Sequence, residues 1–165
     1  LIRQKASGFV VVLYDPNCVQ TCIQEGISNE VSLQVGGKTD KQHGKPVPIQ
    51  GTVRLIHDGH FIETEPRHGG QKYHNQGLTA VVAIEDAFVV LTSKRQTPFS
   101  LQQLLSLGIN PVEMRIIVVK AAIAYRAAYE PIAGKIIEVD TPGLTAVNPQ
   151  HFTYQNVRKP LFPLD

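Results

Sequence analysis

Six consecutive apolar residues, Phe9-Val10-Val11-Val12-Leu13-Tyr14, run directly into Asp15-Pro16. Successive side chains of a strand point to opposite faces, so a strand that is apolar at every position has to be covered on both sides. Asp15 is placed to cap a helix, and Pro16 suits its first turn, where a missing amide hydrogen costs little. Cys18, Val19, Cys22 and Ile23 follow as an apolar stripe at helical spacing, and Gly26 predicts a left-handed terminus. A buried strand that feeds an amphipathic helix belongs to an α/β layout.

The rest of the chain extends this layout. Val31, Leu33 and Val35 alternate with polar residues and predict a half-buried strand, Glu30 to Val35. A glycine-rich loop, 36–45, leads to a second strand pattern from Val47 to Leu55. Asp58-Gly59, set between Val53–His57 and His60–Thr64, predicts a hairpin. After a polar stretch from Glu65 to Gln76, Leu78–Ile84 and Ala87–Leu91 predict another hairpin around Glu85-Asp86. Thr97-Pro98 opens a short helix that ends at Gly108. Arg115–Val119 reads as a strand, Ala121–Tyr129 as a helix and Lys135–Val139 as the last strand, with a turn at Asp140-Thr141-Pro142-Gly143. His151 to Asp165, carrying Pro160 and Pro163, reads as an extended arm. This order predicts one α/β domain with a mixed sheet flanked by helices.

Composition narrows the function classes. A chain of 165 residues buries roughly two thirds of its unfolded surface and holds a core without a metal or disulfide staple. Cys18 and Cys22 therefore read as reduced, buried thiols on the core stripe. A formal charge of +2, with no basic run beyond Lys94-Arg95 or Arg158-Lys159, does not make a nucleic-acid stripe. No apolar stretch has the length of a membrane helix, and the first residues lack a signal-peptide profile. No membrane partner and a cytoplasmic location are the expectations. The start at Leu1 rather than at a methionine points to a processed or truncated chain.

Several candidate sites fail on chemistry. Gly36-Gly37-Lys38-Thr39 imitates the end of a phosphate-binding loop, but the first glycine is missing at the required offset and a strand follows instead of a helix. A tight glycine-permitted bend that exposes Lys38 fits better, with a ligand or another domain as its partner. His57, His60, His68 and His74 fall close together, and a hairpin at Asp58-Gly59 would bring the first two face to face. No general-base motif accompanies them, and no metal ligand is assigned. Ser93 lacks a nucleophile context and an identifiable base. No catalytic residue is assigned.

The strand ends are more informative. Thr92-Ser93-Lys94-Arg95 follows one apolar strand and Lys120 follows another, and in α/β proteins ligand sites gather beyond the carboxyl ends of strands. The helix expected after Lys120 would add free amide groups that favour an anion. Lys38, Arg95, Lys120 and, less centrally, Arg126 are thus the expected ligand-binding or interdomain residues, for an acidic small molecule, a small peptide or a neighbouring domain.

Taken in order, the motifs resemble the C-terminal domain of the MlrC-type proteins, a family named for the microcystin-degradation metallopeptidase. They are Asp15-Pro16, Val35-Gly36-Gly37-Lys38-Thr39-Asp40, Gly51-Thr52-Val53, Asp58-Gly59-His60-Phe61, Leu91-Thr92-Ser93-Lys94-Arg95, Gly108-Ile109-Asn110-Pro111, Tyr125-Arg126-Ala127-Ala128-Tyr129 and the closing Arg158-Lys159-Pro160-Leu161-Phe162-Pro163-Leu164-Asp165. The resemblance implies a two-domain parental protein whose larger N-terminal domain holds zinc and hydrolyses amide bonds of small or linearised peptides. This chain would be its accessory C-terminal domain, 1–165, with the zinc-binding catalytic domain missing and no cofactor of its own. Ala121 and Ala124 stand near positions where relatives are expected to carry serine and histidine, so the substrate does not transfer. The apolar residues of the arm need cover from this domain, the missing domain or a second copy, which makes a homo-oligomer one expected form. The competing reading is a non-enzymatic binding or assembly module that recognises an acidic ligand or partner.

Overall fold

The computed structural model describes residues 1–41, 43–65, 67–141 and 148–162. A six-stranded mixed sheet is flanked by helices. β1 (Phe9–Tyr14) lies between β7 (Ala87–Thr92) and β8 (Ile116–Val118), parallel to both. β6 (Thr79–Ile84) forms the expected hairpin with β7, with Glu85 at φ 54 in its turn. β3 (Val47–His57) runs antiparallel to β6, and β2 (Glu30–Val35) antiparallel to β3, giving the order β2-β3-β6-β7-β1-β8.

Side-chain alternation divides the core into two layers. Phe9, Val89, Leu91, Ala80 and Val82 meet the buried Cys18, Val19 and Cys22 of α1 (Pro16–Glu25). Val10, Val81 and Val90 meet Leu104, Leu107, Tyr125 and Tyr129 on the opposite face, where α2 (Gln102–Leu105) and α3 (Arg126–Tyr129) lie. A fully buried valine such as Val19 stabilises the fold by roughly 2 kcal/mol. Both cysteines are free and buried, as their place on the stripe predicts. Burial raises the Cys22 thiol to about 11, which keeps it protonated and unreactive.

β3 carries the feature that shapes the α1 side. Its register against β6 shifts between Val53 and Leu55, so these residues, two apart, face opposite core layers. A bulge of this kind bends a strand and increases its twist. The outer half of β3 and all of β2 curl toward the first turn of α1, where the Cys18 thiol reaches the Gln34 carbonyl at 3.3 Å.

The structure corrects four expectations. The Asp58-Gly59 hairpin does not form, because β6 occupies the place beside β3; β4 (His60–Ile62) leaves the sheet and pairs with β5 (Tyr73–Asn75). The helix read over Ala121–Tyr129 is confined to Arg126–Tyr129 and a following 3-10 turn, so Lys120 does not stand at a helix start. Alanine is the best helix former, but propensity is easily overridden by tertiary context, and so short a segment depends on packing for its form. Lys135–Val139 forms no strand among the described residues, since no neighbouring ladder is offered to it. Gly26 ends α1 at φ 86 and ψ 164, outside the left-handed helical region, while its amide still bonds Cys22. The expected turn at Asp140-Thr141-Pro142-Gly143 and the end of the arm fall partly outside the described residues.

Candidate functional site at the strand ends

β1, β7 and β8 are parallel, so their carboxyl ends open on one edge of the sheet. The chain leaves β1 at Asp15, which is only 2% exposed. Sequence reading gives this residue a cap, and the structure gives it three duties. Its Oδ1 accepts the Cys18 amide at 3.2 Å, its Oδ2 accepts the Gly36 amide at 3.1 Å, and the Lys38 ammonium donates to both oxygens at 3.0 and 2.8 Å. Burial pushes the Asp15 carboxyl up, but Lys38 and the two amides more than offset it and hold the group below its ordinary value. Lys38 also donates to the Cys18 sulfur at 3.1 Å. Desolvation lowers the Lys38 ammonium, yet Asp15 and Cys18 outweigh it and the net direction is upward. Lys38 is therefore a charged residue with its side chain 35% exposed, anchored from below and open to solvent above.

Arg95 joins the same place. Its guanidinium lies 4.2 Å over the Tyr14 ring and donates to the Thr39 hydroxyl at 3.3 Å. Tyr14 precedes Asp15 and Thr39 follows Lys38, so Lys38 and Arg95 flank one spot beyond β1. Lys120 is exposed two residues past β8, on the neighbouring strand end, with no ion pair among the described residues. Arg126 sits apart on α3, bonded to Glu138 and 3.5 Å from Glu130. Sequence reading couples Arg95 with Lys120; the structure couples it with the Lys38 loop.

His57, His60 and His74 do not converge. Asp58 lies 3.3 Å from His57 Nδ1 and 3.4 Å from His60 Nδ1. The Gly59 amide donates to His57 Nδ1 at 2.9 Å, so that nitrogen accepts and its approach to Asp58 is not an ion pair. His74 is buried, stacked on Phe61 and edge-on to Phe99, each at 5.0 Å. Among the described residues no three His, Cys, Asp or Glu side chains are placed to hold a metal ion. These donors do not make a zinc site.

One buried polar group is hidden in the sequence except for His74. Glu63, His74, Gln76, Ser100 and Gln103 are all 3% exposed or less, packed where β4, β5 and α2 meet. Gln103 Nε2 donates to Gln76 Oε1 at 3.1 Å, and Glu63 accepts the Glu65 amide at 2.9 Å. Burial raises the Glu63 carboxyl, while the Ser100 hydroxyl and the Glu65 amide lead the contacts that bring it below its ordinary value. A carboxylate in the expected strand segment His60–Thr64 ordinarily reads as solvated, so its burial is not legible in the sequence.

Three comparisons agree with this architecture. The family described as "MlrC C-terminus" matches residues 1–156. The curated protein "Microcystinase C" of a Sphingomonas species is 23% identical over 155 residues, which is 93% of this chain and 28% of that protein. A crystal structure from Mesorhizobium sp. BNC1, described as "Putative metallopeptidase", superposes with a TM-score of 0.82 at 29% identity, over 96% of this chain and 31% of that one. The chain thus spans less than a third of the length of these relatives.

Proposed function

This chain belongs to the MlrC C-terminus family, and from that premise we propose that it is the accessory domain of a metallopeptidase-like amide hydrolase whose zinc and catalytic groups lie in another domain. The observation that supports this reading most is coverage. Nearly all of this chain aligns with under a third of the protein described as "Putative metallopeptidase", and the described residues offer no metal-ligand cluster. The domain completes the fold and lends its basic strand ends to a cleft or a docking surface. Lys38, Arg95 and Lys120 are the residues proposed to meet an acidic group, a substrate carboxylate or an acidic side chain of the catalytic domain. Arg126 contributes less, since its charge is already shared with Glu130 and Glu138. Zinc, when bound by the catalytic domain, would activate water.

The purified 165-residue chain is expected to retain far less than one zinc per molecule after dialysis, by elemental analysis, and to leave linear peptides intact. A tightly held equivalent of zinc with peptide hydrolysis, both abolished by replacing His57 and His60, would overturn the accessory role.

Lys120→Met keeps most of the side-chain stem and removes the charge. In the complete protein it is expected to weaken binding of an acidic peptide or docking of the two domains about tenfold, the scale of one charge-assisted hydrogen bond. In the isolated chain its unfolding free energy should stay within about 0.5 kcal/mol, as for an ordinary surface position. Unfolding of the isolated domain with undiminished affinity in the complete protein would make Lys120 structural.

A further inference from the structure

Lys135-Ile136-Ile137-Glu138-Val139 is rich in β-branched residues and reads as a strand, yet it stands without a sheet. Among the described residues, no backbone group from 134 to 141 takes part in a backbone hydrogen bond. The segment nevertheless has two distinct sides. Glu138 is tied to Arg126 on α3, and Ile136 is 37% exposed, whereas Ile137 and Val139 are 74% and 71% exposed. What alternates is the tie to the domain rather than exposure, since the Glu138 side chain is itself 69% exposed: one side is held by Arg126, and the other has no partner among the described residues, with the period of a strand. Ile123, whose carbonyl accepts the Arg126 amide, adds a third aliphatic side chain, 75% exposed, beside the same anchor. Unpaired strand backbone together with exposed aliphatic side chains is the usual template for strand addition by a partner.

We propose that residues 135–139 pair with a strand of the catalytic domain in the complete protein, with Ile123, Ile137 and Val139 as the apolar anchors. The inference rests on the accessory-domain reading above. The occupant is argued from length: in the relatives, about seventy per cent of the chain lies outside the matched region, which is 31% and 28% of their lengths. The matched family is described as a C-terminus, so that remainder precedes this domain and is large enough to supply both a strand and an apolar surface.

Hydrogen exchange read by mass spectrometry tests this in the 165-residue chain and in the complete protein. Amides of residues 136–139 should exchange freely in the isolated chain and about a hundredfold or more slowly in the complete protein, as for other laddered amides. Ile137→Asp should abolish that protection and weaken docking of the two parts about tenfold or more, the scale of losing one buried isoleucine. Ile27→Asp, at a 53% exposed site beyond α1 on the other face, should change neither. Free exchange in both forms overturns the proposal, even where the isolated chain lacks zinc and activity as expected. Protection in the isolated chain that rises with concentration assigns the segment to a second copy and overturns it as well. Zinc-dependent hydrolysis by the isolated chain overturns the functional reading instead, whatever the exchange pattern.

Discussion

Replacing Gly59 by alanine is expected to lower the unfolding free energy by about 2–4 kcal/mol, through a steric clash and backbone strain together. Gly59 has φ 79, and an added Cβ would stand 1.8 Å from the Gly77 carbonyl oxygen. Neither side can yield cheaply. The Gln76 amide bonds the Gly59 carbonyl at 2.9 Å, and Gly77 itself has φ 71, where a Cβ would meet the Ser93 hydroxyl at 2.3 Å. This close approach of two backbones stands where β3 ends and the chain leaves the main sheet for the separate β4–β5 pair. Urea unfolding with an unchanged slope would read the loss as a lower midpoint. Gly44→Ala is the control: Gly44 also has positive φ, at 88, but nothing lies within 4 Å of its missing Cβ. Its cost should remain near 1 kcal/mol, the strain alone. Equal losses at the two positions would remove the clash from the explanation.

The same corner marks the limit of what the sequence makes legible. β1, β2 and the β6–β7 hairpin are read correctly because each signal is local: an unbroken apolar run, a period of two, a short turn between apolar segments. The Asp58-Gly59 signal is also local and real, since the chain does turn there. What it cannot contain is the competition for the place beside β3, which β6 wins with a register of five paired positions from Thr52↔Ala83 to His57↔Thr79. Lys135–Val139 fails for the complementary reason. Its propensity is that of a strand, but a strand is defined by its neighbour, and none among the described residues adjoins it.

Site residues follow the same rule. Lys38 and Arg95 are recognisable as basic residues in a glycine-rich bend and after a strand, while the contact that unites them depends on the curl of β2 and β3 over α1. Asp15 is legible as a cap from Asp-Pro, but its bond to Lys38 spans 23 positions and leaves no periodic trace. The helix expected after Lys120 rested on alanine propensity, which decides little when Tyr125, Ala128 and Tyr129 are held by packing on the sheet. Without that helix, Lys120 loses the argument from free amides and keeps only the one from the strand end.

Asp15→Ala is expected to cost about 2–4 kcal/mol at neutral pH, and the dependence on pH should identify the charge as part of that cost. Loss of a helix cap accounts for about 1 kcal/mol, and leaving the Gly36 amide without its acceptor for about 1–3 kcal/mol. Lys38, being more than a third exposed on its side chain, regains water when its partner is lost, so it adds little beyond these. Asp15→Asn keeps an oxygen for the cap and should cost about half as much. The sign of the pH effect follows from the lowered carboxyl. The folded group titrates below its ordinary value of 3.8, so its charge stabilises the fold fully above that value and progressively less as pH falls through the folded one. The gap between wild type and Asp15→Asn, read by urea unfolding, should therefore be constant from about pH 5 to 7 and narrow below about pH 4. Lys38→Met should narrow it at neutral pH too, because the two residues act as one unit and their losses will not add. A gap independent of both pH and Lys38 would mean that Asp15 serves the fold only as a neutral cap, and that Lys38 is held at the strand ends by something other than its bond to this carboxylate.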